Sequence, residues 1–167
     1  MMELNVPLHV NDIKALARQA HGDGEVREAL FAALRGDDRR SAVNAAWVLT
    51  HLPKTDNQHI AAWREPLVEL AVSTPDTSLR RLSLALLERL EWGRDEVRTD
   101  LLDFCLNRLL RADEPAGVRA LCLKLAYCQC RHYAELREEL RQCLLMLEPS
   151  ELLPGIRHTR NKIMKQL

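Results

Sequence analysis

Trp-Arg-Glu-Pro-Leu-Val-Glu-Leu at residues 63–70 and Leu-Arg-Arg-Leu-Ser-Leu-Ala-Leu-Leu at residues 79–87 are the two stretches that decide the fold. Both place apolar residues three and four positions apart, which is typical of a helix with one apolar face. Between them lies Ser-Thr-Pro-Asp-Thr at residues 73–77, a short polar segment of the kind that turns the chain. The region therefore predicts two helices joined as a hairpin.

The same apolar spacing continues on both sides of this hairpin, and no segment favours a strand. Residues 1–8 are expected to form a loose leader, and Asn11 is expected to cap the first helix. Asp56 is expected to cap the helix that contains Pro66. A proline within a helix costs about 3 kcal/mol, so by itself Pro66 favours two shorter helices. Beyond the first helix, we predict helices over about 25–35, 39–52, 57–73, 78–91, 97–111, 115–130, 133–147 and 155–167.

Composition favours a folded all-α protein. Hydrophobic residues make up 47% of the 167 residues and charged residues 29%, which is ordinary for a folded domain. Aromatic residues are scarce at 4%, whereas Leu and Ala are frequent, which favours packing between helices over packing between sheets.

The charges balance, with 24 basic against 24 acidic residues, and this balance makes a general nucleic-acid or membrane-surface binder less favoured. The C-terminal segment departs from it, with Arg157, Arg160, Lys162 and Lys165 against Glu151 alone over residues 151–167. We interpret the last helix either as a cap with a solvated outer face or as a contact for an anionic partner.

Several features predict a cytoplasmic location without a membrane anchor. Residues 1–10 lack the basic start and apolar core of an export signal. No apolar run approaches the roughly 18 residues that a membrane helix needs. Five cysteines, an odd number, suggest reduced thiols.

The predicted helices recur as similar pairs. Arginines near the start of the second helices mark the period at Arg40, Arg80, Arg119 and Arg157, which follow one another at nearly equal intervals. A two-helix unit cannot cover its own apolar faces, so units of this kind stack into one continuous core.

Residues 59–91 resemble a HEAT repeat, with Pro66 at the bend of the first helix, Asp76 in the turn, and Leu79-Arg80 opening the second helix. The resemblance implies an all-α, right-handed α-α superhelix of about four HEAT-like helical pairs with an extra N-terminal helix. It also implies a single domain over 1–167, divided into a leader and capping helix (1–23) and repeats over 24–53, 54–92, 93–131 and 132–167.

The resemblance further implies that Arg40, Arg80, Arg119 and Arg157 form a structural ladder. Each would pair with an acid in a neighbouring turn, the candidates being Asp37, Asp38, Asp76, Glu114 and Glu151. The alternative is a basic track for phosphate groups, which the neutral net charge and the nearby acids disfavour.

HEAT-like proteins commonly bind other proteins or peptides with the second helices of their repeats. The family resemblance therefore predicts a non-catalytic interaction scaffold or adaptor, with partner-binding candidates at Arg81, Glu88, Lys124, Tyr127, His158, Lys162 and Lys165. Two alternatives remain open. One is a nucleic-acid-binding protein related to the helical-repeat alkylpurine DNA glycosylases, and the other is a HEAT-like lyase subunit.

No motif in the sequence predicts catalysis or a cofactor. There is no glycine-rich phosphate loop and no nucleophile motif. Cys122, Cys128, Cys130 and His132 superficially suggest zinc, but a structural site usually has paired short spacings. We interpret these cysteines as core residues and expect neither a metal site nor enzymatic activity.

Overall fold

A computed structural model describes residues 2–167, and this part of the chain contains ten α-helices and no strand. The all-α fold class predicted from the sequence is therefore confirmed for these residues. Met1, the first residue of the predicted leader, lies outside them. The helices are α1 (Val10–Gly22), α2 (Gly24–Leu34), α3 (Arg39–Thr50), α4 (Asn57–Ala61), α5 (Arg64–Ser73), α6 (Thr77–Glu88), α7 (Thr99–Leu109), α8 (Ala116–Cys130), α9 (Ala134–Leu145) and α10 (Pro154–Met164).

The helices divide into two compact units. The first unit ends at Leu90 and the second spans Glu91–Leu167. In the first unit α2 packs against α3, α5 packs against α6, and α3 lies beside α6. In the second unit α7 packs against α8, and α10 lies beside α8 and contacts α9. Within each unit, the second helices of successive pairs are therefore neighbours.

The second helices begin at regular intervals along the chain. Their N-caps are Asp38, Asp76, Pro115 and Leu153, and the steps between these positions are nearly equal. Asp38 accepts a hydrogen bond from Ser41 N–H at 3.0 Å, and Asp76 accepts one from Leu79 N–H at 2.9 Å. Each carboxylate thus satisfies an N–H that has no acceptor within its own helix.

The helix predicted over residues 57–73 is two helices, α4 and α5, separated at Ala62 and Trp63. Trp63 leaves the helical path and its ring stacks on Phe31 of α2, with 4.4 Å between ring centroids and 3° between planes. Because a new helix, α5, begins at Arg64, Pro66 lies in its first turn. The N–H groups of that turn have no acceptor within the helix, so the missing N–H of Pro66 costs no hydrogen bond. The break thus replaces the bend expected at Pro66.

The N-terminal segment is packed, and the prediction of a loose leader was wrong. Leu4 is buried, and Asn44 of α3 donates hydrogen bonds to the carbonyls of Leu4 and Val6 at 2.8 and 2.9 Å. The predicted Asn11 cap was also wrong, because α1 begins at Val10 and His9 occupies the N-cap. A buried amide on a helix far along the chain therefore fixes this segment.

In the first unit, Arg89 connects the helix pair α5/α6 to the pair α2/α3. It follows α6 directly in the chain. Its guanidinium donates to the carbonyls of Leu49, Thr50, Leu52 and Pro53 at 2.8 to 3.3 Å. Burial lowers the pKa of Arg89, and the Asp56 carboxylate opposes that effect. Carbonyls at a helix end lack partners within the helix, so this one side chain satisfies several acceptors at the end of α3.

The corresponding loops of the second unit are connected by several different groups. The His132 ring Nε2 lies 2.6 Å from the Trp92 carbonyl, and Arg94 donates to the His132 carbonyl at 2.8 Å. The Tyr133 hydroxyl donates to the Arg94 carbonyl at 2.8 Å, and the Arg94 guanidinium lies 4.8 Å from the Tyr133 ring centroid. The connection is therefore shared among aromatic, imidazole and guanidinium groups.

Candidate functional site

Three of the four marker arginines occupy the same place in their helices. Arg80, Arg119 and Arg157 each stand four residues after the N-cap of α6, α8 and α10. Each guanidinium donates to a carbonyl between the preceding helix and its own helix, or at the end of that preceding helix. Arg80 donates to Thr74 at 3.0 Å, Arg119 to Leu109, the last residue of α7, at 3.1 Å, and Arg157 to Pro149 and Leu152, both at 2.8 Å. These contacts close the turn within one helix pair.

Arg40 does not share that place, and its assignment as a ladder residue needs correction. It stands only two residues after the N-cap Asp38 and is exposed, whereas the equivalent of Arg80 in α3 is the buried Ala42. The contact between neighbouring turns is made instead by Arg39, whose guanidinium pairs with the Asp76 carboxylate. The nearly equal spacing of the arginines misled the assignment, because the helix starts that define the repeat are set by the N-caps and not by the arginines.

The acids expected to pair with the marker arginines also have other partners. Asp38 binds Ser41 at the start of its own helix. The buried Glu114 carboxylate accepts from the Arg108 guanidinium at 2.8 Å. The arginine contacts described above therefore depend on backbone carbonyls, which no sequence pattern of charges reveals.

The predicted partner-binding residues lie on second helices of both units. In α6, Arg81 is exposed and Glu88 is half-buried. In α8, Lys124 is exposed and Tyr127 is half-buried, while in and after α10 the exposed residues are His158, Lys162 and Lys165. Because α8 and α10 are neighbours, the structure brings the last five of these residues to one pair of helices.

Among the α-helices of the second unit, acidic residues occur only in the first helices of the pairs. Neither α8 nor α10 contains an acidic residue, although together they carry Arg119, Lys124, Arg157, Arg160 and Lys162. The first helices carry both signs, with Asp100, Asp103 and Arg108 in α7 and Glu135, Glu138, Glu139, Arg137 and Arg141 in α9. The neutral total charge of the chain conceals this difference between the helices.

Two kinds of basic residue occur on these helices. Arg119 and Arg157 are held by the turn carbonyls, and Arg160 donates to the Leu144 carbonyl at 3.2 Å. Within residues 2–167, Lys124, Lys162 and Lys165 form no ion pair, and their ammonium groups are exposed. These lysines, together with Tyr127 and His158, form what we call the α8/α10 face.

Three of the five cysteines, Cys105, Cys122 and Cys130, are buried in the second unit, whereas Cys128 and Cys143 are half-buried. The hydrogen bond between the Cys105 and Cys122 thiols, together with burial, raises the pKa of the Cys105 thiol. Burial also raises the pKa of Cys130 to about 12. The Cys105 and Cys130 thiols are therefore protonated at neutral pH. A protonated thiol is a poor nucleophile and a poor metal ligand. No group of three His, Cys, Asp or Glu residues within residues 2–167 is arranged to hold a metal ion.

The sequence analysis missed a groove in the first unit. It has a volume of about 1300 Å³ and lies between the N-terminal segment, α1 and α2. Its carboxylates are Glu3, Asp12, Asp23, Glu25 and Asp38. The sequence does show several acidic residues before α3. It does not show that they line one groove, because that depends on how the N-terminal segment packs.

Comparisons with known proteins bear on the whole chain. Over residues 2–167, no helix combines the length and apolar composition needed to cross a bilayer. A comparison with curated proteins found no matching sequence. The profile of the HEAT repeat domain matches residues 1–167. That match covers the whole chain and confirms the resemblance seen at residues 59–91, so the protein belongs to the HEAT repeat domain family.

Proposed function

We propose that this protein is a non-catalytic interaction module that binds an acidic segment of a protein partner on the α8/α10 face. The single observation that carries the proposal is the absence of any acidic residue from these two neighbouring helices. HEAT repeats commonly mediate protein–protein interaction, which gives the proposal its general class.

The side chains of the α8/α10 face suit an acidic peptide. Lys124 and Lys162 are exposed and free of ion pairs in the described chain, so their positive charges are available to a partner. Half-buried Tyr127 adds an aromatic surface, and tyrosine is enriched where proteins bind each other. Charge of one sign on one face selects a partner of opposite sign and speeds its association.

Arg81 and Glu88 of α6 are further partner-binding candidates in the first unit. They carry opposite charges, so they do not define a partner by charge as the α8/α10 face does. The right-handed superhelix of about four pairs, with second helices on a concave surface, stays a prediction of the family resemblance. A cytoplasmic location is part of the proposal, since all five cysteines are free thiols.

Nucleic-acid binding is the second candidate, because a row of lysines without acids also fits phosphate groups. The relation to alkylpurine DNA glycosylases and the lyase-subunit alternative remain untested predictions. We favour a protein partner because the face has three free lysines only, whereas the nearby arginines bind backbone carbonyls.

The test is a binding titration by fluorescence anisotropy with two labelled probes, a synthetic Asp/Glu-rich peptide and an oligonucleotide duplex. The Lys124→Gln/Lys162→Gln variant removes one charge from each helix of the face. We expect it to bind the peptide roughly tenfold more weakly than the wild type. The matched control is Lys14→Gln/Lys54→Gln, which removes two exposed lysines from the first unit and should bind like the wild type.

Equal peptide affinity in the two double variants would contradict the proposed face. Tighter binding of the duplex than of the peptide, lost in the same variant and weakened steeply by salt, would favour the nucleic-acid candidate.

A further inference from the structure

The groove of the first unit has an apolar floor that the protein itself covers only in part. Leu8, Leu16 and Val26 line it and are half-buried, and Ala29 lines it and is exposed. Apolar side chains in this condition gain free energy when a partner removes them from water. A volume of about 1300 Å³ is sufficient for several side chains of a docked segment.

Among the described residues that line the groove, all the charged side chains are acidic, and we call these its rim. Five of its lining residues are acidic and none is Lys or Arg. Asp12 accepts from the His9 N–H at 2.9 Å, and Asp23 accepts from the Glu25 N–H at 2.9 Å, so the backbone fixes the positions of these carboxylates. Hydrogen bonds from the Ser41 hydroxyl and N–H hold the pKa of Asp38 below its ordinary value.

The wall of the groove is ordered before any partner binds. The N-terminal segment forms this wall, and the buried Asn44 amide holds it through the carbonyls of Leu4 and Val6. A preorganised groove loses less conformational entropy on binding than one that must be assembled.

We propose that this groove docks a basic amphipathic helix of a partner protein. The apolar stripe of such a helix would contact Leu8, Leu16, Val26 and Ala29, while its Lys and Arg side chains would reach the carboxylates of the rim. Helix-in-groove recognition combines an apolar stripe with matched flanking charges in this way. The rim repels acidic segments, so this surface is distinct from the α8/α10 face, and the chain has two docking surfaces of opposite charge.

The experiment uses the full chain and a labelled synthetic peptide in which Leu recurs at three- and four-residue intervals and Lys fills the other positions. Ala29→Lys places a long cationic side chain in the groove, and we expect it to weaken peptide binding by at least roughly tenfold. Ala32→Lys is the matched control, because Ala32 is an exposed residue of the same helix that does not line the groove. It should bind like the wild type.

A second pair of variants tests the charge of the rim. Glu3→Gln/Glu25→Gln removes two rim carboxylates that cap no helix, and it should weaken binding about three- to tenfold at low salt. Glu69→Gln/Glu135→Gln removes two exposed carboxylates elsewhere and should leave the affinity unchanged. Circular dichroism and thermal unfolding of each variant establish that the fold is retained.

Three results would overturn the proposal. The first is equal affinity of the wild type and Ala29→Lys for the Lys/Leu peptide, or no binding by either. The second is equal binding of a Glu/Leu peptide of the same pattern, which would remove the role of charge. The third is a dimer of the protein alone that Ala29→Lys dissociates, because the groove would then hold a second copy. None of these results depends on the α8/α10 face, so the two proposals fail independently.

Discussion

The two units connect successive helix pairs by different chemistry. In the first unit, one guanidinium, that of Arg89, donates to four backbone carbonyls between Leu49 and Pro53. In the second unit, the corresponding loops are joined through His132, Tyr133 and Arg94, each with one or two contacts.

This difference shows that successive helix pairs of one repeat architecture can be connected in two ways. One side chain can make most of the hydrogen bonds, or several side chains can share them. A guanidinium offers five N–H donors in a fixed plane, so one arginine can satisfy the carbonyls of a whole loop. The shared connection uses weaker single contacts, and the loss of any one leaves the others in place. We therefore expect the first unit to be far more sensitive to a single substitution at its connection.

The largest expected effect is that of Arg89→Ala. It removes the donor from four carbonyls, which should lower the free energy of unfolding by about 3 kcal/mol or more. Tyr133→Phe in the second unit removes one hydroxyl and keeps the ring over which Arg94 lies, so its cost should be about 1 kcal/mol. Urea denaturation followed by circular dichroism measures both.

Arg81→Ala serves as the control for Arg89→Ala, since Arg81 is an exposed arginine of the preceding helix. Its cost should stay within about 0.5 kcal/mol. Similar losses in Arg89→Ala and Tyr133→Phe would show that the first unit does not depend on a single side chain.

An intermediate effect is expected at the marker arginines. Arg80 is buried and binds the Thr74 carbonyl, so Arg80→Ala should cost about 2 kcal/mol. Arg40 is exposed at a different helix position, so Arg40→Ala should change stability by less than about 0.5 kcal/mol. Denaturation curves of the two variants, measured side by side, test the revised alignment of the repeats.

The opposite order, with Arg40→Ala the more damaging, would restore Arg40 as the equivalent of Arg80. Ala42→Arg offers an independent check, because Ala42 is only 2% exposed and a guanidinium there would have to displace its packed neighbours. We expect that substitution to be strongly destabilising.

The smallest expected effect concerns the ion pair between Arg39 and Asp76. Burial by itself raises the pKa of Asp76, but hydrogen bonds from Leu79 N–H and the Arg39 guanidinium outweigh it and leave the pKa below its ordinary value of 3.8. The charged form therefore stabilises the fold at neutral pH, and this stability is lost as the pH falls through the folded-state pKa. Asp76→Asn keeps a good N-cap and should cost about 0.5–1 kcal/mol at pH 7.

The pH profile identifies the source of that cost. The difference in unfolding free energy between the wild type and Asp76→Asn should be constant above about pH 5 and shrink in more acidic solution. When Arg39→Ala is already present, adding Asp76→Asn should change the unfolding free energy at pH 7 much less than it does in the wild type. A difference that persists unchanged to the lowest pH would assign the effect to the cap instead of the charge.

Much of the fold could be predicted from residues that act locally. Apolar residues at helical spacing predicted the helices. In the structure Asp38 and Asp76 cap two of them, and such a cap is also local because the carboxylate reaches only the N–H groups beside it. Pro66 predicted the break at Ala62 and Trp63, because a proline can neither donate to the carbonyl four residues earlier nor avoid a clash with it. The stacking of the Trp63 ring on Phe31 could not be predicted in the same way, since Phe31 lies far earlier in the chain.

Of the two candidate surfaces, residues of one were predicted from the sequence and the other was not. The family resemblance predicted binding candidates such as Tyr127 and the lysines on second helices, and the structure shows these residues exposed or half-buried there. The sequence could not identify the acidic groove, whose carboxylates come from the N-terminal segment and the starts of three helices. The buried Leu4 and the hydrogen bonds from Asn44 hold the N-terminal segment beside α1 and α2, and this packing brings the carboxylates to one groove.

By itself, then, the sequence determined an all-α chain of repeating helix pairs, since helical periodicity depends on neighbours within a few residues. Tertiary structure alone decided the partners of the arginines. Arg89 and Arg80 bind carbonyls, and every residue has a carbonyl, so the sequence does not distinguish which one lies within reach. That choice follows from how the loops fold and how the helices pack.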